Sequence, residues 1–159
     1  MIIADLEIHK GFIPESIIVG HSIDDSKWRW FKVLQQNCAD VYGNVNIMFA
    51  VTHTYAVSPN TCGQGILSIQ IRADNTSLRV VKFKWLANSG LDPTKFVITI
   101  NDGIWALHTA SKLKYNRVAF TPLVVRGLNN RPEGGDIIYS PSNITEEDAP
   151  DSGIVSEDI

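Results

Sequence analysis

From Asn44 to Tyr55 the sequence alternates with a period of two. Val45, Ile47, Phe49, Val51, His53 and Tyr55 fall on one side; Asn44, Asn46, Met48, Ala50, Thr52 and Thr54 fall on the other. Successive side chains of a strand point to opposite faces, so this run predicts a strand with its odd-numbered face buried. The same pattern recurs downstream. Leu67, Ile69 and Ile71 alternate with Ser68, Gln70 and Arg72 and lead to a hairpin-type turn at Ala73-Asp74-Asn75. Val81, Phe83 and Trp85 read as the inner face of another strand, with Lys82 and Lys84 on a basic outer face.

Turn signals separate these runs. They are Ser58 to Gly63, Asn88-Ser89-Gly90, Asp92-Pro93 and Asn101-Asp102-Gly103, and Gly63-Gln64-Gly65 reads as a turn as well. Phe96, Ile98 and Ile100 mark a further strand, followed by Ile104 to Thr109 and Arg117 to Val125. Upstream, Lys27 to Leu34 is tryptophan-rich and β-prone with imperfect alternation, which predicts a bulge near Phe31. Ile137-Ile138-Tyr139 is a last short strand. About eight strands, with no amphipathic helix longer than two turns, predict an all-β fold: an antiparallel β-sandwich, jelly-roll-like.

The chain has 159 residues, 44% of them apolar, enough for one domain with one core. Its longest apolar stretches, such as Ile47–Val51, are far short of the ~20 residues of a membrane helix, so no membrane insertion is expected. No charged leader precedes a hydrophobic segment, so no secretory signal is expected either. Charge divides the chain. All fourteen Lys and Arg precede Glu133, beside nine acidic residues, and from Glu133 onward there are eight acidic residues and no Lys or Arg. The body therefore carries about +5 and the tail about -8. Three segments result: an extended lead-in at 1–26 with one short strand, a β-sandwich at 27–132, and an acidic tail at 133–159. Such a tail is either a solvated extension or an arm docked on a basic surface of its own chain, a neighbouring subunit or another protein. Ile137, Ile138, Tyr139, Ile144, Ile154 and Val155 would anchor a docked arm, with an adjacent subunit as the expected seat.

No constellation of residues announces chemistry. His9, His21, His53 and His108 share no HxH or HExxH spacing, and Cys38 and Cys62 have no partner pattern, so no metal or other cofactor is expected. His53 and His108 read as structural strand histidines. No GxSxG or GxxxxGK[ST] motif is present. Asp24-Asp25, Asp92, Asp102 and Glu146-Glu147-Asp148 have structural readings, and none is forced into a glycosidase-like pair. Trp85 and Trp105 read as core between two sheets; Trp28 and Trp30 read as core or subunit contact. The basic face of Arg79, Lys82 and Lys84 is small and the pI is about 5.7, which argues against nucleic acid as a partner. No catalytic, cofactor-binding or metal-binding residue is assigned, and ligand-binding residues are unknown.

Several segments together carry a family resemblance. They are Gly65-Ile66-Leu67-Ser68-Ile69-Gln70-Ile71, Val81-Lys82-Phe83-Lys84-Trp85, and Gly90-Leu91-Asp92-Pro93-Thr94-Lys95-Phe96. Gly103-Ile104-Trp105-Ala106-Leu107-His108 and Tyr115 to Leu123 complete them, with Trp28 to Val33 as an opening strand. Over residues 27–125 the chain resembles the C-terminal β-sandwich domains of bacteriophage tail fibres and tail spikes. That resemblance implies a homotrimer located in a virion and made in the host cytoplasm. It also implies other virion proteins as partners, and a host surface glycan as a candidate ligand. Two features depart from the family pattern: the chain begins at Met1 without a long shaft, and it continues into the acidic tail. The expected function is a non-enzymatic virion fibre or tail component acting in trimer assembly and host-surface attachment. The alternative is a stand-alone carbohydrate-binding module, and a glycan-acting enzyme comes after both.

Overall fold

The computed structural model describes residues 16–21, 28–37, 42–53, 63–74, 77–111, 114–127, 138–139 and 146–158. They form two antiparallel sheets. One contains β1 (Ser16–His21), β8 (Lys114–Gly127), β3 (Tyr42–His53), β4 (Gly63–Asp74) and β5 (Ser77–Ser89), in that spatial order. The other is built on β2 (Arg29–Asn37), β7 (Ile104–Ser111) and β6 (Phe96–Asn101). Three two-residue strands from the C-terminal segment complete it. β9 (Ile138–Tyr139) and β10 (Glu146–Glu147) pair with β2, and β11 (Ile154–Val155) pairs with β6.

The inward faces of the sheets share one core. Val45, Ile47, Phe49, Leu67, Ile69, Phe83, Trp85 and Phe120 from the first sheet meet Val33, Leu34, Phe96, Ile98, Trp105 and Leu107 from the second. Phe96 joins the layers, its ring centroid 4.9 Å from Phe49 and 4.7 Å from Trp85 in edge-on contacts. The fold is the expected all-β sandwich. Its outer frame is jelly-roll-like, with β1 beside β8 in one sheet and β2 beside β7 in the other. The inner part departs from that plan: β3, β4 and β5 run as a meander within one sheet, leaving β6 to flank β7.

Local chemistry explains the joints. Asp102 (φ 49°) and Gly103 (φ 76°) form the two-residue hairpin turn between β6 and β7, where both central residues need positive φ. Asp92 opens a 3-10 turn at Pro93–Lys95, its carboxylate accepting from Thr94 N and Thr94 Oγ1. Pro122 is tolerated in β8 because the pairing with β1 has ended by Phe120 and the register with β3 shifts beside it.

Two expectations need correction. Gly63-Gln64-Gly65 lies inside β4 and is not a turn. A Cβ on Gly65 would stand 2.7 Å from both the Trp85 ring and the Ala87 carbonyl, so the glycine lets the indole lie against backbone. The bulge expected near Phe31 is present, at Val33, and turns both Val33 and Leu34 into the core. Val81 does not share a face with Phe83 and Trp85. Ile71 pairs with Val80 and Gln70 with Lys82, so Val81 is the extra residue of a bulge and is 60% exposed. Leu86 is the extra residue of a second bulge on the same strand.

Candidate functional site

The C-terminal segment organises the surface. It begins on the outer edge of β2, where Glu146 and Glu147 lie opposite Phe31 and Trp30, and it reaches the far edge of the sheet, where Ile154 and Val155 lie opposite Ile98 and Val97. The strands between are β2, β7 and β6, so the segment spans four interstrand spacings, about 19 Å. The seven steps from Glu147 to Ile154 reach at most about 25 Å, enough for the crossing in a nearly extended path. Beneath it the sheet presents Ala106, Ala110, Val97 and His108, all buried although they point away from the core. Gly153 permits the closest approach, since a Cβ there would stand 2.3 Å from Val97 Cγ1.

Polar groups fasten this strap at both ends. At its start Glu146 accepts from Arg29 Nη1 at 2.8 Å. Glu147 Oε1 bonds His108 Nδ1, and His108 Nε2 meets Thr99 Oγ1 at 2.8 Å. At its end Ser156 N donates to Phe96 O at 3.0 Å, and Glu157 N donates to Phe83 O at 2.9 Å. The buried Ser156 hydroxyl accepts from Trp85 Nε1 at 3.1 Å and donates to Pro93 O at 2.7 Å. One short segment therefore hydrogen-bonds β6 of one sheet and β5 of the other. It closes that side of the sandwich.

The Glu147–His108–Thr99 chain has the order of an orienting acid, a base and a hydroxyl, which is the order of a hydrolytic triad. His108 sits in β7, the strand flanked by both β2 and β6. What the chain does in this fold is tie the strap to β7 and β6. Sequence reasoning read His108 as structural; it missed Thr99, Glu147 and Ser156 as its fellow fasteners, because their meeting depends on where the tail runs.

The other weighed residues fall into place simply. Trp85 and Trp105 are fully buried. Trp28 and Trp30 are half-buried, and Lys95 Nζ stands 4.6 Å from the Trp28 ring centroid. His21 and His53 end β1 and β3. His9, Asp24, Asp25, Cys38, Cys62 and Ile144 lie outside the described residues. Among the described residues no group of three or more His, Cys, Asp and Glu stands together to hold a metal, and no helix is long and apolar enough to cross a membrane.

A groove of about 420 Å³ runs along the outside of β5 beside the end of the strap. Gln70, Val80, Val81, Lys82, Lys84, Ile154, Val155 and Glu157 line it.

No family model and no curated protein matches this chain. Among solved structures it is similar to an Acinetobacter phage tailspike protein, 13% identical with a TM-score of 0.36. The match covers 72% of this chain and 21% of that one. The likeness to a phage tail protein is loose.

Proposed function

We propose that this chain is a non-enzymatic component of a virion fibre or tail, acting in trimer assembly and in attachment to a host surface. The observation that carries the reading is the way its polar side chains are used. Arg29–Glu146, His108–Glu147 and the Ser156 hydroxyl all bind the C-terminal strap to the sandwich. The groove beside β5, by contrast, leaves apolar and charged side chains open for contact. A domain fastened shut at one side and open along another suits a building and binding role. The sequence resemblance over residues 27–125 supplies the virion context. For the carbohydrate-module alternative, Trp85 and Trp105 are in the core, which leaves the half-buried Trp28 and Trp30 as its stacking candidates.

Light scattering tests the reading. A stable species of about 53 kDa, three times the 17.6 kDa chain, is expected at micromolar concentration. Binding of that species to host cells, competed by surface glycan, is the second expected result. A monomer that binds glycan would instead return the function to the stand-alone module.

A further inference from the structure

The outer face of the β1–β5 sheet gathers positive charge at its β5 end. Arg72 lies opposite Arg79, Gln70 opposite Lys82 and Ser68 opposite Lys84. Residues 79 and 82 differ in parity and would face opposite sides of a regular strand. The bulge at Val81 returns Arg79 to the face of Lys82 and Lys84, the kind of re-aiming that bulges on edge strands supply. Like charges directly opposite each other, as Arg72 and Arg79 are, weaken a sheet, and an anion between them relieves the repulsion. Lys84 is the bridge partner of Glu157, so those two charges adjoin and offset each other. The net positive part is Arg72, Arg79 and Lys82. None of the described side chains that the five strands place on this face is acidic.

Neutral hydrogen-bonding groups continue the same rows. Asn44, Gln70 and Lys82 stand side by side across the sheet, and so do Asn46, Ser68 and Lys84. At the β5 end these rows border the groove of about 420 Å³, whose lining adds Val80 and the exposed Val81. A charged sugar chain matches each of these groups: carboxylates meet Arg and Lys, hydroxyls meet the amides, and ring C–H faces meet the valines. We propose that this face binds an acidic glycan of the host surface, a saccharide chain carrying carboxylate groups. Nucleic acid fits worse, since no described outer position of this sheet carries an aromatic ring for a base to stack on. A peptide adding as a strand would need the β5 edge, where Glu157 N already donates to Phe83 O. The inference rests on the attachment half of the reading above and names its ligand class and its surface.

The test titrates the full chain with polygalacturonate, polysialate and neutral dextran. The two acidic chains are expected to bind, more weakly as salt rises, and dextran is not. Arg79→Gln with Lys82→Gln is expected to weaken binding of the acidic chains about tenfold, the scale of a lost hydrogen bond to a charged group. Lys32→Gln with Lys95→Gln removes the same charge from the other sheet and is expected to leave binding unchanged. Lys82→Gln alone should show a smaller loss in the same direction, and unchanged melting temperatures verify folding. If both double variants lose binding equally, or neither does, this surface is wrong and the attachment reading survives. Dextran bound as tightly as the acidic chains has the same consequence. Single-stranded DNA or phosphatidylserine vesicles bound as tightly would mean that charge alone is recognised, and the glycan assignment falls. If neither acidic chain binds while the protein still binds host cells, the proposal falls and attachment stands; if it binds neither, both fall.

Discussion

The two sheets turn different outer faces to their surroundings. On the β1–β5 sheet, Asn44, Asn46 and Met48 of β3 and Gln70 of β4 lie on that face, with Lys82 and Lys84 of β5 beside them. Met48 is 42% exposed. On the β2–β7–β6 sheet the matching positions are Val97, Ala106, His108 and Ala110, and all are buried. The difference goes with the acidic strap, which crosses the second face from Glu147 on His108 to Gly153 against Val97, whereas on the first only the small Ser68 is buried among the described outer positions. A strand covered on one face alternates polar and apolar, whereas one covered on both cannot afford charged outer positions. β7 obeys the second rule: from Trp105 to Ser111 every residue is buried. The acidic tail is therefore the third layer of the sandwich at that sheet.

Several substitutions would break or sharpen this comparison. The largest effect belongs to the core that both sheets share: Phe49→Ala should cost about 3–5 kcal/mol in denaturant unfolding. Next comes the strap's own contact. Gly153→Val forces a side chain into Val97 and the Ile98 carbonyl, an overpacking that should cost ~1–3 kcal/mol. It should also remove hydrogen-exchange protection from the strap before any is lost from β3. Ser156→Ala leaves the buried Trp85 Nε1 without its acceptor, and a loss of about 1–3 kcal/mol is expected. Met48→Lys on the open face should change stability by no more than roughly 0.5 kcal/mol. Ala106→Lys, on the face beneath the strap, should cost ~1–3 kcal/mol by the same overpacking rule. Equal costs for the last two would mean that the faces do not differ.

How legible the fold was depended on how local its causes are. The buried parity of Val45, Ile47 and Phe49 follows from the strand period alone, and so do Phe96 and Ile98. The Asp102-Gly103 turn follows from backbone sterics at two residues. Val81 was misplaced because a bulge inserts one residue without a mark in the alternation, and every position on one side of it changes face. Gly65 looked like turn chemistry because its actual reason, the Trp85 ring lying on it, comes from a strand twenty residues away. The strap was half visible: a docked arm was expected, but Ile154 and Val155, expected as apolar anchors, are exposed and attach by backbone pairing to β6, while the buried anchor is Ser156. The sequence reading expected an adjacent subunit as the seat, but the described tail residues dock on the chain's own β2, β6 and β5. Charge opposition could not select those edges, since strand edges recruit by backbone hydrogen bonds that composition does not encode.

Thr99, His108 and Glu147 teach the same lesson about sites. They are far apart in sequence, and only the sheet register of β6 and β7 with the path of the strap brings them into one line. Glu147→Gln keeps the shape and removes the charge. It should loosen the strap's first end by about 1.5–3 kcal/mol, the range for hydrogen bonds to charged groups, while leaving the Ser156 end in place.

The most direct test of the strap as a structural layer is amide hydrogen exchange at Ser156 and Glu157 in the native protein. Their N–H groups donate to Phe96 O of one sheet and Phe83 O of the other. Both amides should exchange as slowly as those of β3 and β7, opening only with the whole domain. Exchange at unprotected rates while β3 and β7 stay protected would contradict the account, and the acidic tail would then be an extension that the sandwich does not need.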